Sequence, residues 1–126
     1  MRTRYSFCLS FSFGFYLLLS IPVTADDIKR GQLISEQHCS RCHVVGDFNP
    51  TGGISSTPSF QLLVKRRPDY KERFETFYAR RPHPAFLLME GIERPLKHVP
   101  PNAYPVPLTV DEVNCIVAFI ETLKQE

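Results

Sequence analysis

Five consecutive residues, Cys39-Ser40-Arg41-Cys42-His43, constrain this chain more than any other part of its sequence. Two thiols and an imidazole bind metals or form covalent bonds, and the pair is too close in the chain to staple distant segments together. The 126 residues fit one domain, and only two further cysteines occur, Cys8 and Cys115. The fold is therefore expected to be built around whatever this stretch binds.

The first 25 residues are predicted to be a secretory signal peptide. Two arginines precede the apolar run 7–19, which is too short to cross a bilayer comfortably, and Val23-Thr24-Ala25 resembles a cleavage site. The alternative is an N-terminal anchor helix that is retained. The prediction gives an exported, periplasmic protein with no stable membrane span after cleavage and one domain over residues 26–126.

The charge of the mature chain argues against nucleic acid as a partner, and its distribution allows an acidic partner. Removing the two signal arginines leaves 13 of the 15 basic residues, equal to the 13 acidic ones, so the mature chain does not have the basic character of a nucleic-acid binder. Residues 65–81 nevertheless carry seven Lys or Arg against three Asp or Glu. They form either a solvated helix face with pairs such as Lys71 and Glu75 or a docking surface for an acidic partner. The docking residues would be Lys65, Arg66, Arg67, Arg80 and Arg81.

The predicted secondary structure is all-α. Helices are expected over residues 26–39, 68–81 and 108–124. The last one opens with Thr109 and Glu112 in the spacing of a capping box. Residues 46–60 read as loop, and the prolines of residues 82–107 exclude regular structure beyond a turn or two. No strand pattern is present. Three modest helices bury little apolar surface, so the domain needs something else in its core.

Four uses of the cysteine pair can be compared. A structural zinc site needs four ligands and the second pair is missing, while a thioredoxin-like dithiol expects a βαβ unit. A plain disulfide would leave His43 without a role. Covalent haem uses both thiols as thioethers and the adjacent histidine as an iron ligand, and it also supplies an apolar core.

The sequence resembles class I c-type cytochromes of the bacterial kind. The matching residues are Gly31 and the stretch from Cys39 to His43 near the N-terminus, and residues 108–120 near the C-terminus. The resemblance implies a cytochrome c-like bundle of three to four helices around one covalent haem c with its iron. It also implies that the first and last helices cross, with Gly31 against Phe119.

The same resemblance assigns the site. It implies that Cys39 and Cys42 hold the haem, that His43 is the proximal ligand, and that the carbonyl of Pro58 accepts a hydrogen bond from the His43 ring. Family members usually have a distal methionine shortly before the last helix, whereas this mature chain has only Met89. Met89 is the first candidate for the distal ligand, followed by His98, His83 and an open or water-bound iron.

Two functions follow from this site. The favoured one is a periplasmic monohaem cytochrome, not itself an enzyme, that transfers single electrons between redox partner proteins. The alternative is a five-coordinate haem protein that binds gases or reduces peroxide. A third reading is a metal site without haem.

Overall fold

The computed structural model describes residues 22–93 and 104–124. Residues 1–21 of the predicted signal peptide 1–25 and the ligand candidate His98 lie outside these residues. The described residues contain four α-helices and two short strands, α1 (Ala25–His38), α2 (Phe60–Arg66), α3 (Tyr70–Glu75), β1 (Leu87–Met89), β2 (Val106–Leu108) and α4 (Val110–Thr122). Two 3-10 turns, Phe77–Ala79 and His83–Ala85, lie between α3 and β1. None of the helices in the described part is long and apolar enough to span a membrane.

Both long helices begin with a capping box. In α4 the Thr109 hydroxyl accepts the Glu112 N–H at 3.1 Å, and the Glu112 carboxylate accepts the Thr109 N–H at 2.9 Å. This prediction is confirmed. In α1 the cap is Thr24, which pairs in the same way with Asp27. Thr24 lies within the predicted signal peptide 1–25, so this cap belongs to the full chain and would be absent from a mature chain that begins at Asp26. Both helix starts are thus set by local side-chain chemistry.

Helices α1 and α4 cross in close contact at Gly31. A Cβ added there would overlap the backbone carbonyl of Cys115 and lie 2.8 Å from the Ile116 nitrogen. The predicted close approach is confirmed, but the nearest atoms belong to the α4 backbone and not to Phe119, which is buried one turn further on. Ser35, which is fully buried, donates its hydroxyl hydrogen to the Gly31 carbonyl at 2.7 Å.

The core lies on the buried face of α4 and divides into two apolar clusters. The larger cluster joins this helix to α2, α3 and the segment after the cysteine pair, through Val45, Phe60, Val64, Phe74, Ile116, Val117, Phe119, Ile120 and Leu123. The smaller one consists of Met89, Leu108 and Val113. Phe77 packs against both. Residues from α1 to α4 therefore surround the region next to the cysteine pair.

The helix predicted over residues 68–81 is shorter than expected. It ends as α3 at Glu75, because Thr76 donates its hydroxyl to the Glu72 carbonyl at 2.7 Å and leaves helical geometry. A 3-10 turn follows. Helix α2 was not predicted, although Ser59 caps it by accepting the Leu62 N–H at 3.0 Å.

The prediction that no strands occur is wrong. Strands β1 and β2 pair in parallel, with Leu87 opposite Val106 and Met89 opposite Leu108. Pro107 lies between hydrogen bonds made on either side of it, from the Val106 N–H to Phe86 and from the Glu90 N–H to Leu108. A proline is tolerated in a strand where its missing N–H is not needed, so the proline content did not exclude pairing here.

Candidate functional site

A single turn at the end of α1 carries both thiols and the imidazole. The helix finishes at His38, and the Cys39 carbonyl then accepts the N–H groups of Cys42 and His43 at 3.1 and 2.9 Å. Cys39, Cys42 and His43 are thereby placed on one compact loop. The two thiols are free and are not joined as a disulfide.

The two thiols differ in their surroundings. Cys42 is exposed, whereas the Cys39 thiol is crowded by protein atoms. Burial, with a smaller contribution from Cys42, raises the pKa of Cys39 to about 12. Cys39 is therefore a neutral thiol at physiological pH, and of the two sulfurs that of Cys42 is the more accessible.

The loop is held from outside by the segment after it. The Ile54 N–H donates to the Cys42 carbonyl at 2.9 Å. Gly53 has φ +74°, and a Cβ there would lie 3.0 Å from the same carbonyl oxygen. Glycine is needed at this position both for its backbone conformation and for the close approach.

His43 is fixed by Pro58 and Phe60. Its Nδ1–H donates to the Pro58 carbonyl at 2.8 Å, and its ring centre lies 5.4 Å from that of Phe60. A carbonyl oxygen can only accept a hydrogen bond, so the proton of the neutral ring is on Nδ1 and the lone pair is on Nε2. A metal-binding histidine usually donates its other ring N–H to a carbonyl or carboxylate in this way.

Asn49, which sequence reasoning missed, ties the loop together. Its side-chain oxygen accepts the Val45 N–H at 2.8 Å, and its amide donates to the carbonyls of Ser40 and His43, both at 3.0 Å. A single asparagine in a loop gives no signal in the sequence beyond its preference for turns. Its role depends on which backbone groups the fold brings to it.

A second imidazole lies next to His43. The ring centres of His43 and His83 are 6.1 Å apart, and their planes are inclined by only 5°. His83 Nδ1 lies 3.0 Å from the Arg80 carbonyl oxygen, and the Phe77 ring meets the imidazole edge-on at 5.3 Å. Burial lowers the pKa of His83, the Arg80 carbonyl opposes this, and His43 adds to the lowering. His83 ranked behind Met89 and His98 in the sequence, and its position between two prolines was the only local signal for a fixed orientation.

Met89 lies in a different environment. It is 7% exposed, is the last residue of β1, and packs with Leu108 and Val113 in the smaller apolar cluster. Its assignment as a distal ligand stays a prediction. No group of three or more His, Cys, Asp or Glu side chains within residues 22–93 and 104–124 could hold a metal ion.

The charges of residues 65–81 pair differently from the sequence expectation. Among the residues that the structure describes, Lys71 and Glu75 form no ion pair. Three other contacts occur instead, Arg73–Asp69 at 2.9 Å, Arg67–Asp69 at 3.2 Å and Arg80–Glu72 at 3.1 Å. Of the predicted docking residues, Lys65, Arg66 and Arg81 are exposed and make no ion pair within this part of the chain.

The family model described as Cytochrome c matches residues 28–124 of the chain. The match begins inside α1, includes the loop from Cys39 to His43, and continues to the end of α4. No curated protein and no solved structure matches the chain significantly.

Proposed function

The chain belongs to the cytochrome c family, and we propose that it is an exported, periplasmic monohaem cytochrome of the bacterial class I kind that carries single electrons between redox partners. Haem c, covalently attached and containing iron, is the cofactor of the family and of this chain. When bound, it supplies an iron that alternates between the ferrous and ferric states.

The observation that carries this proposal is the hydrogen bond from His43 to Pro58 beside the two free thiols. The bond at 2.8 Å leaves the Nε2 lone pair of His43 available for iron. Cys39 and Cys42, on the same loop, would each add their S–H across a vinyl group, which forms a carbon–sulfur bond and transfers the hydrogen to the neighbouring carbon. No oxidant is required. The residues present thus fit the cofactor.

The surroundings of His43 favour electron transfer over reaction with a bound gas or peroxide. Phe60, in the larger apolar cluster, makes a ring contact with His43, and Phe77, which packs against both clusters, makes one with His83. Both imidazoles therefore lie against apolar side chains. A five-coordinate centre needs an open distal position, and the His83 ring beside His43 argues against one.

Docking to an acidic redox partner is the second part of the proposal. Exposed Lys65, Arg66 and Arg81 make no ion pair with residues 22–93 or 104–124 and could meet carboxylates on a partner, whereas Arg67 and Arg80 are engaged in ion pairs. Interactions between exposed charges weaken with salt. The rate of electron transfer to such a partner should therefore fall with ionic strength.

The test is expression of the full chain in a bacterium that attaches haem to exported proteins. The wild-type protein should appear in the periplasmic fraction, lack the signal segment by mass, and give one covalent haem per chain in a pyridine haemochrome assay. Reductive titration should consume one electron. The variant with Cys39→Ala and Cys42→Ala should carry no haem and lose most of its helical circular dichroism, because the chain lacks sufficient core without the macrocycle.

Cys115→Ala is the matched control, because this cysteine lies in α4 and not on the loop. It should retain haem at the wild-type ratio. A wild-type protein purified without covalent haem, or found only in the cytoplasm, would contradict the proposal. A compact helical form of the double variant would instead refute the role assigned to the macrocycle in the core.

A further inference from the structure

We propose that His83 is the second axial ligand of the iron, opposite His43, so that the centre is a bis-histidine haem. The inference rests on the proposed function, since it requires haem at His43. It replaces the first sequence-based candidate, Met89, with His83, which the sequence placed third.

The first argument is the spacing of the two rings. Two imidazoles that bind one metal ion from opposite sides through nitrogens at about 2 Å have ring centres about 6 Å apart. The centres of His43 and His83 are 6.1 Å apart, with planes inclined by 5°. The two side chains come from segments 40 residues apart (83 − 43) and already have a separation suited to a shared metal ion.

The second argument is that the two imidazole rings carry their proton on the same nitrogen. Each Nδ1 lies against a backbone carbonyl, Pro58 for His43 at 2.8 Å and Arg80 for His83 at 3.0 Å. Both neutral rings therefore carry their proton on Nδ1 and their lone pair on Nε2. No hydrogen bond reaches either Nε2 from residues 22–93 or 104–124. Two lone pairs are thus left without a protein donor, in the arrangement that metal-binding histidines adopt.

The third argument is that His83 is held in place by its neighbours. It begins the second 3-10 turn between Pro82 and Pro84, whose rings restrict the backbone on both sides. Pro84 is buried, and Phe77 contacts the imidazole edge-on at 5.3 Å. A fixed ring loses little conformational entropy on binding a metal, whereas a mobile surface histidine would lose more.

Met89 needs no ligand role to explain its position. It fills the smaller apolar cluster with Leu108 and Val113, as methionine commonly does in cores. His83 has no such explanation. Its Nε2 lone pair accepts no hydrogen bond from residues 22–93 or 104–124, and iron coordination would use that lone pair.

The experiment compares the purified holoprotein with His83→Ala, Met89→Leu and His98→Ala. We expect the wild-type ferric protein to be low-spin and to lack the long-wavelength charge-transfer band of thioether–iron ligation. Its near-infrared magnetic circular dichroism should fall in the bis-imidazole class, and its ferric electron paramagnetic resonance should be the rhombic signal of near-parallel imidazole planes. His83→Ala should become high-spin when ferric and bind carbon monoxide when ferrous, while Met89→Leu and His98→Ala stay low-spin.

Restoring the spectrum of His83→Ala with an added ligand distinguishes an iron ligand from a residue that only supports the fold. Imidazole added to His83→Ala should restore the low-spin spectrum, and His83→Met should raise the reduction potential, because thioether ligation favours the ferrous state relative to imidazole. The wild-type spectra test the proposal even if His83→Ala fails to accumulate.

Specific results would overturn the inference. A thioether band in the wild type that disappears in Met89→Leu assigns the ligand to Met89. Conversion to high spin by His98→Ala alone assigns it to His98, and a high-spin wild type leaves the iron without a second protein ligand. All three results keep the covalent haem and the electron carrier, whereas a wild type without haem would defeat the proposed function itself.

Discussion

Gly31→Ala gives the sharpest test of how the fold is held together. Alanine is favoured over glycine within a helix by about 1 kcal/mol, so an isolated α1 would gain stability from this change. In the folded protein the new methyl group would overlap the Cys115 carbonyl. That carbonyl belongs to the backbone of α4 and cannot rotate away, so the two helices have to separate.

The size of the effect follows from these opposing contributions. Overpacking against a well-packed contact typically destabilises by about 1–3 kcal/mol, and the upper end applies because the obstacle is backbone. Subtracting the gain in helix propensity leaves a net loss of about 2 kcal/mol. For a domain of this size the corresponding fall in Tm is about 8–16 °C.

The assay is urea denaturation of the holoprotein, monitored by far-ultraviolet circular dichroism. The midpoint and the dependence of the unfolding free energy on urea concentration are compared between variants. Lys29→Ala is the matched control, since Lys29 is exposed on the same helix and should change the midpoint little. An unchanged or higher midpoint for Gly31→Ala would refute the reasoning, because it would mean that the two helices do not approach as closely as the structure indicates.

Three further predictions concern side chains that form hydrogen bonds to the backbone, those of Asn49, Thr109 and Glu112. Asn49→Ala removes three hydrogen bonds to the loop, each with a net value of about 0.5–1.5 kcal/mol, so thermal melts should show a loss of about 2 kcal/mol. Asp47→Ala, two residues earlier at an exposed position, should match the wild type. Thr109→Ala should cost about 1 kcal/mol by the same assay, and Thr109→Ser should restore most of it. The backbone N–H of Thr109 is the main cause that lowers the pKa of Glu112 below its unfolded value, so the stabilisation is present above the unfolded pKa and is lost as pH falls through the folded pKa. Urea midpoints of the wild type should therefore decrease on acidification more than those of Glu112→Gln, and parallel curves would contradict this role for Glu112.

The features that could be predicted from the sequence are set by neighbouring residues. Thr109 and Glu112 are three positions apart and form the capping box that their residue types predict. This box sets the start of α4. Gly31 indicated a close approach because glycine is otherwise unfavourable in a helix, but its type could not identify which atoms of α4 it would meet.

The features that were missed depend on distant parts of the chain. A three-residue strand such as β1 has no room for a periodic pattern, and its pairing with β2 depends on the fold that brings the two together. His83 looked like an ordinary loop histidine because nothing near it in the sequence indicates that it lies beside His43. Ser59 is the exception, since a serine directly before an apolar run is a helix start signal that could have revealed α2.

The contact at Gly31 also bears on the order in which the molecule assembles. Gly31 and Cys115 are 84 residues apart (115 − 31), and bringing together the ends of a loop of that length costs roughly 4 kcal/mol of chain entropy. Because synthesis proceeds from the N-terminus, α1 has no partner until α4 emerges. During that interval the Cys39 thiol, which the finished fold crowds, lies on an open chain together with Cys42. Late closure of the first helix onto the last thus keeps both sulfurs accessible before the fold is complete.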